Sequence, residues 1–388
     1  MRISRHIERI QPPPITEVKS WIAGREFPAD RPLVDLCQAI PDYPPPRELI
    51  KAVKAGLDDP LTFKYSPDEG LLETRQAVSS WYLRRYLAGP TPEQMCLTIG
   101  ASQAFWLAIC SLCQPGDEVI VQLPAYFDHP MGLQALGITS VFAPFQPETA
   151  GLPDPDVLAR LITPKTRAIL LVTPSNPTGA VIPSQQIEQL FELARQHGIV
   201  LILDETYNAF VDGIPHYLFH RKDWGRHFVQ LASFGKTFAL TGLRCGALIA
   251  AKELIDQALK IQDSMCVCQS RPAQQAISYG CRHLDDWVVA NARMMRQRHD
   301  LFRQLFLEAN TPFKLMASGS FFAWVRHPWP GMAGRQAARI LAEQGQLICL
   351  PGEAFGPGLE PYLRLAFGNI AQERIPQAIE RFCLKFQV

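Results

Sequence analysis

The sequence lacks most of the features that announce a specialised environment. Charge of one sign is not in excess: 38 Lys and Arg stand against 37 Asp and Glu, a net charge of +1. That leaves no electrostatic footprint for nucleic acid or for an anionic membrane surface. No apolar run approaches the roughly 18 residues that a membrane-spanning helix needs. The opening stretch, MRISRHIERIQPPP, has no apolar core of the kind a secretion signal carries. These two absences point to the cytoplasm. Repeats and low-complexity tracts are missing as well. The 33 prolines are scattered, with dense clusters only at Pro12 to Pro14 and Pro44 to Pro46, which read as extended connectors. Ten cysteines are present without the spacing of a disulfide framework. Cys110 and Cys113 form a C-x-x-C pair, but no second pair and no clustered histidines complete a zinc site. They read as small apolar residues on a helix, and Cys266 and Cys268 as buried thiols.

What is present is the material of a large globular chain. With 388 residues, 47% hydrophobic and 19% charged, it can bury one sizeable core or two. Short apolar runs at 95–100, 118–123, 139–145, 168–173, 199–204, 228–233 and 245–250 alternate little with polar residues, as in strands buried on both faces. Helical patterns separate several of them. One spans 184–198, with Ser184 as its expected cap and Gly198 as its stop. The alternation predicts an α/β fold: a mostly parallel seven-stranded sheet flanked by helices, over residues 46–283. After about residue 284 the pattern changes to a long helix (284–310), a strand (320–327), a second helix (333–345) and a strand (361–367). This predicts a smaller α+β domain over 284–388. The N-terminal segment, 1–45, is expected to join it through a strand and turn within 33–43.

Chemistry concentrates at the expected strand ends. Lys236 lies in SFGKTFALTGLR, residues 233–244, directly after the apolar run 228–232. An amine is thus placed at the end of a buried strand, with Ser233 just before it and Arg244 two helical turns on. Upstream stand SNPTG at 175–179 and DETY at 204–207. Asn176, Asp204 and Lys236 each follow or end a different strand, where open α/β sheets bind ligands. A lysine amine able to form a Schiff base, with Ser and Arg to hold a phosphate, is what a pyridoxal phosphate (PLP) enzyme requires.

These motifs, in this order and spacing, resemble the fold-type I PLP enzymes. The chain is similar in particular to the class I/II aminotransferases related to aspartate aminotransferase, from about residue 31 to residue 370. The resemblance implies roles residue by residue. Lys236 would be the Schiff-base lysine and the base that moves the substrate's Cα proton. Asp204 would pair with the pyridinium nitrogen, and Tyr207 and Asn176 with the cofactor's phenolic oxygen. Backbone amides of Ala101 and Ser102, at a helix start, would face the phosphate together with Ser233 and Arg244. Tyr65 would reach the phosphate across a dimer interface, so the resemblance implies a homodimer with shared sites. Tyr126 is expected to stack on the ring in preference to Phe127. His129 would line the substrate side or be solvated. Arg364, costly to bury without an anion, would grip the substrate α-carboxylate as a fork. Ala39 stands where many relatives carry glycine facing that carboxylate.

The implied activity is amino transfer between an amino acid and a 2-oxo acid by a ping-pong mechanism. C–S β-elimination or other α-carbanion chemistry is the alternative on the same scaffold, and a non-catalytic ligand sensor a remote one. Arg271 is a loose candidate for binding an acidic substrate from the partner subunit, and reads rather as structural. The aromatics Tyr43, Tyr126, Phe127, Phe321 and Phe322 lean toward a neutral, large substrate.

Overall fold

A computed structural model describes residues 3–387. Its strands are β1 (Val34–Asp35), β2 (Met95–Ile99), β3 (Glu118–Gln122), β4 (Thr139–Ala143), β5 (Thr166–Val172), β6 (Val200–Asp204) and β7 (Phe228–Ser233). They continue with β8 (Cys245–Ile249), β9 (Lys314–Gly319), β10 (Phe322–Arg326), β11 (Leu347–Ile348), β12 (Leu350–Pro351) and β13 (Tyr362–Ala366). Seven of them form one sheet in the order β2-β8-β7-β6-β5-β3-β4. Every pairing in it is parallel except those of β8, which runs against both β7 and β2. All seven expected strands are present in this sheet.

The continuous apolar runs follow from helices on both faces. Successive side chains of a strand point to opposite sides. Thus Ile169 and Leu171 of β5 enter one core cluster, with Leu201 and Leu203 of β6. Ala168 and Leu170 enter another, with Ile202. Neither face meets water, so neither needs polar residues.

A four-stranded antiparallel sheet, β12-β13-β10-β9, packs a third cluster in which Phe302 and Phe306 of the long Asp285–Glu308 helix meet Val325, Leu363 and Leu365. The N-terminal segment contributes β1, which pairs in parallel with β11. Its first residues reach the large sheet's side of the molecule: Gln134 Nε2 donates to Arg9 O at 3.3 Å, and Gln11 Nε2 to Ala354 O at 3.1 Å.

Several local expectations need correction. Ser184 does not cap its helix: the helix spans Ser184–Gln196, Pro183 occupies the cap position, and the serine is already helical. The strand expected at 320–327 starts at Phe322, because Ser320 (φ 48°) turns the chain between β9 and β10. β9 itself has no counterpart in the predicted elements. It is an edge strand of mixed burial, without an apolar run to reveal it. Cys266 and Cys268 are half-buried rather than buried; Cys110 lies on the expected helix and Cys113 at its C-terminal cap, both half-buried, and all ten cysteines are free thiols. Burial raises the Cys110 thiol and, with Asp117 nearby, pushes Cys113 to about 12. Among the described residues no cluster of three or more His, Cys, Asp and Glu suits a metal ion, and no helix is long and apolar enough to cross a membrane.

Candidate active site

Because only β8 is reversed, the C-terminal ends of β3, β5, β6 and β7, the end of β2 and the start of β8 share one edge of the large sheet. A cavity of about 470 Å³ opens there. It is lined by Ala39, Ala101, Ser102, Tyr126, Asn176, Asp204, Tyr207, Ser233, Lys236, Arg244 and Arg364 among others. Segments distant in sequence thus converge because each leaves its strand at the same edge.

Lys236 sits on a single helical turn, Phe234–Thr237, directly after β7. Its amine is pushed down to about 8. Burial is the main cause, the guanidinium groups of Arg244 and Arg364 add to it, and Asp204 opposes it. An amine so placed is partly uncharged near neutral pH and able to act as a base or nucleophile.

Arg244 lies against the start of the Gly100–Leu112 helix. Gly100 has φ +75°, and a Cβ there would meet Arg244 Nη2 at 2.7 Å. The positive φ favours glycine here, and a side chain would in addition displace the Arg244 guanidinium. The first amides of a helix have no intrahelical acceptor and carry the positive end of its dipole. Ala101 and Ser102 lie in that first turn. With Arg244 beside them and Ser233 on the same wall, this end of the cavity is built for an anion.

Asp204 is the last residue of β6 and 4% exposed. Its Oδ1 accepts from Thr206 N at 3.0 Å and Thr206 Oγ1 at 2.6 Å. Its Oδ2 lies 3.2 Å from His129 Nε2. A carboxylate only accepts, so that ring nitrogen carries the proton. His129 is 2% exposed and stacks on Phe105 at 4.8 Å. It is therefore not solvated; it lines the cavity, one of the two positions the sequence suggested, and also orients Asp204.

Arg364, in β13, is 1% exposed. Its Nη1 donates to Asn176 Oδ1 at 3.3 Å, its Nη2 to Cys37 O, and its Nε has no partner among the described residues. Phe322 and Phe355 flank it, with ring centroids 5.4 and 5.7 Å from Cζ. A guanidinium held by aromatic faces and neutral oxygens, with no carboxylate, retains its charge for an incoming anion. Tyr207 OH lies 3.5 Å from Ala39 O, and burial raises the phenol well above its usual range. Tyr126 lines the cavity with Phe127; its OH donates to Asp128 Oδ2.

Tyr65 stays out of this cavity. It is 77% exposed and borders a separate hollow that shares only Arg244 with the first. Arg271 donates from Nε to Lys64 O at 3.0 Å and from Nη2 to Tyr65 O at 2.9 Å, which is the structural use expected of it. Of the five aromatics read as near the entrance, only Tyr126 and Phe127 line the cavity. Tyr43 packs on Trp287, Phe321 on Phe210, and Phe322 beneath Arg364. Trp106, Met131, Ile10 and Ile15, which no motif in the sequence singled out, also stand on the cavity wall, as does Thr206 of the DETY motif, to which no role was given.

Residues 31–382 match the model of the family described as aminotransferase class I and II. The chain belongs to that family, and it is accordingly an enzyme of the transferase class. An aromatic-amino-acid aminotransferase 2 of Thermococcus litoralis is 27% identical over 386 residues, covering 98% of this chain and 97% of that protein. An aspartate/prephenate aminotransferase of Thermus thermophilus is 31% identical over 356 residues, 90% of each. Among solved structures, an aspartate aminotransferase from Thermus thermophilus with maleate superposes with a TM-score of 0.89 at 28% identity, over 99% of both chains.

Proposed function

We propose that the protein is a PLP-dependent aminotransferase that moves an amino group between an amino acid and a 2-oxo acid in ping-pong fashion. The observation that carries this reading is the Lys236 amine, lowered to about 8, in one cavity with the Asp204–His129 pair and the Arg364 guanidinium, which has no carboxylate partner. The cavity fits the cofactor. Gly100 leaves room for Arg244 over the helix start, as a phosphate needs. Asp204, fixed through both oxygens, offers a buried carboxylate to a protonated ring nitrogen.

In this reading Lys236 would hold the cofactor covalently and Asp204 would face its ring nitrogen. Tyr126 would cover its ring, and Asn176 and Tyr207 would hold its phenolic oxygen. Ala101, Ser102, Ser233 and Arg244 would hold its phosphate, with the partner subunit's Tyr65. When bound, PLP supplies a carrier for the amino group and a sink for the electron pair left at the substrate's Cα. The chain's residues do the rest. Arg364 grips the α-carboxylate beside Ala39 and fixes the substrate's orientation. Lys236 Nζ, freed uncharged once the substrate's amine has taken its place on the cofactor, would take the Cα proton and pass it to the cofactor's carbon rather than back to Cα. His129 keeps Asp204 aimed. The exposed Tyr65 supports a homodimer, and ten free thiols support a reducing compartment, the cytoplasm. The division into 1–45 with 284–388, and 46–283, is our reading of the two sheets.

The test is the visible absorbance of the purified protein, before and after single amino acids are added without an acceptor. Loss of the cofactor's band with one equivalent of 2-oxo acid per site is the expected result. Pyruvate and ammonia with the band retained would make the enzyme a β-lyase. A protein with no band after PLP is supplied would overturn the cofactor assignment.

A further inference from the structure

We infer that the cavity selects amino acids with large, neutral, apolar side chains, aromatic rings included, and that Trp106 is a specificity-determining residue for them. This selectivity rests on the proposed reaction and deepens that reading.

The wall has no positive charge to spare. Its basic side chains, apart from His129, are Lys236, Arg244 and Arg364. Each is already committed, to the amine chemistry, the phosphate and the α-carboxylate in turn. His129 is bound to Asp204. Among the described residues, nothing cationic on the wall remains for a second substrate carboxylate. The other acid there, Asp128, would repel one. A carboxylate buried without a cation is strongly disfavoured.

Apart from Gln38 and the polar groups already assigned to the cofactor, the α-carboxylate or Asp204, the rest of the wall is mainly apolar. Residues four apart on a helix lie on one face. Ala101 and Ser102 of the Gly100–Leu112 helix are therefore followed, about 6 Å further along its axis, by Phe105 and Trp106. All four line the cavity. Phe105 is occupied by its stack on His129, whereas Trp106 is half-buried and available. Met131 of the Asp128–Ala135 helix adds an adaptable apolar surface. Ile10 and Ile15 of the N-terminal segment close the ring, held over the cavity by the bonds of Gln134 to Arg9 O and of Gln11 to Ala354 O. One helix thus offers an anion site at its first turn and an aromatic wall at its second.

A partner subunit is the other possible source of a cation. The exposed hollow holding Tyr65 contains Arg271 and the exposed Lys64 besides Arg244; two donors of Arg271 are tied to its own chain at Lys64 O and Tyr65 O, which leaves Lys64 as the freer cation there.

The experiment uses the PLP-loaded enzyme. Half-reaction rates are measured with phenylalanine, leucine, alanine and aspartate, and calorimetric affinities with the unreactive acids 3-phenylpropionate and succinate. We expect kcat/KM for phenylalanine to exceed that for aspartate at least about 100-fold, and 3-phenylpropionate to bind at least about tenfold tighter than succinate. Trp106→Ala should lower the phenylalanine rate and the 3-phenylpropionate affinity about tenfold or more, with the alanine rate within about twofold. Aspartate equalling or surpassing phenylalanine overturns the inference, and loss of that aspartate activity in Lys64→Ala or Arg271→Ala would identify the partner as the source of the cation. Equal losses for phenylalanine and alanine in Trp106→Ala overturn the role of Trp106. If no amino acid reacts yet the two acids are still discriminated, the proposed reaction fails and the pocket stands; if amino acids react without discrimination, the pocket fails and the reaction stands.

Discussion

Asp204 and Glu205 are consecutive, both buried, and each meets a histidine at nearly the same distance: 3.2 Å to His129 Nε2 and 3.1 Å to His216 Nε2. They face opposite sides of the sheet because adjacent residues of an extended chain do. Glu205 points into the interior. Gln230 Nε2 donates to the same oxygen as His216, and Tyr86 OH lies 3.4 Å from the other. Tyr86 is itself held by Asn208 Nδ2 at 2.7 Å and stacked on Tyr82. Asp204 has a neighbouring hydroxyl and a histidine on its flanks and a cavity in front. Two acid–histidine pairs with similar geometry therefore differ in whether an approach has been left open. The sealed pair is positioned to stabilise the fold, and the open one to stabilise a charge that arrives with a ligand.

Removing each carboxylate should separate these roles. Asp204→Ala is expected to lower the half-reaction rate by about 100- to 10,000-fold with the urea midpoint little changed; a variant that keeps its rate would break the contrast. Glu205→Ala leaves His216, Gln230 and Tyr86 without their common acceptor. It should destabilise the protein by about 3–5 kcal/mol in urea unfolding, while turnover per folded molecule stays within about threefold. His129→Leu deletes one hydrogen bond to a charged group, worth about 1.5–3 kcal/mol. It should lower kcat about 10- to 100-fold in stopped-flow assays, and an unchanged kcat would reduce His129 to a packing residue.

A further contrast concerns Lys236 and pH. Its folded-state amine near 8 lies below the unfolded value of about 10.4. Between these two values the unfolded chain binds more protons, so stability rises with pH there and the gain is lost as pH falls through about 8. The difference in urea midpoint between cofactor-free protein and Lys236→Met should shift in favour of the lysine form from pH 8 to 10.

The large sheet was legible because every strand is a continuous apolar run, and Asn176, Asp204 and Lys236 were legible because each sits where such a run stops. The neighbours that aim them were not. His129 reaches Asp204 from the helix after β3, a meeting set by strand order, which puts β5 between β3 and β6 and leaves no local pattern. Ile10 and Ile15 lie in a segment whose nearest sequence feature is a run of prolines. Thr206 was within the DETY motif, but its hydroxyl's acceptor, Asp204 Oδ1, becomes apparent only once the turn after β6 is built.

The motif at 175–179 combines constraints of two kinds. Asn176 bonds to Arg364, whereas Gly179, with φ +77°, touches backbone: a Cβ on it would lie 2.1 Å from Gly319 O, and one on Gly319 would lie 2.4 Å from Gly179 O. The turn after β5 thus rests bare against the end of β9, main chain on main chain. Neither glycine can acquire a side chain unless the two segments part, so no single substitution at either site has a compensating replacement at the other. In a library randomised over these five codons, losses at position 176 would be inactive but soluble protein, and losses at position 179 would be missing protein. Sorting survivors for expression before sorting them for turnover would divide one motif into its two selective histories.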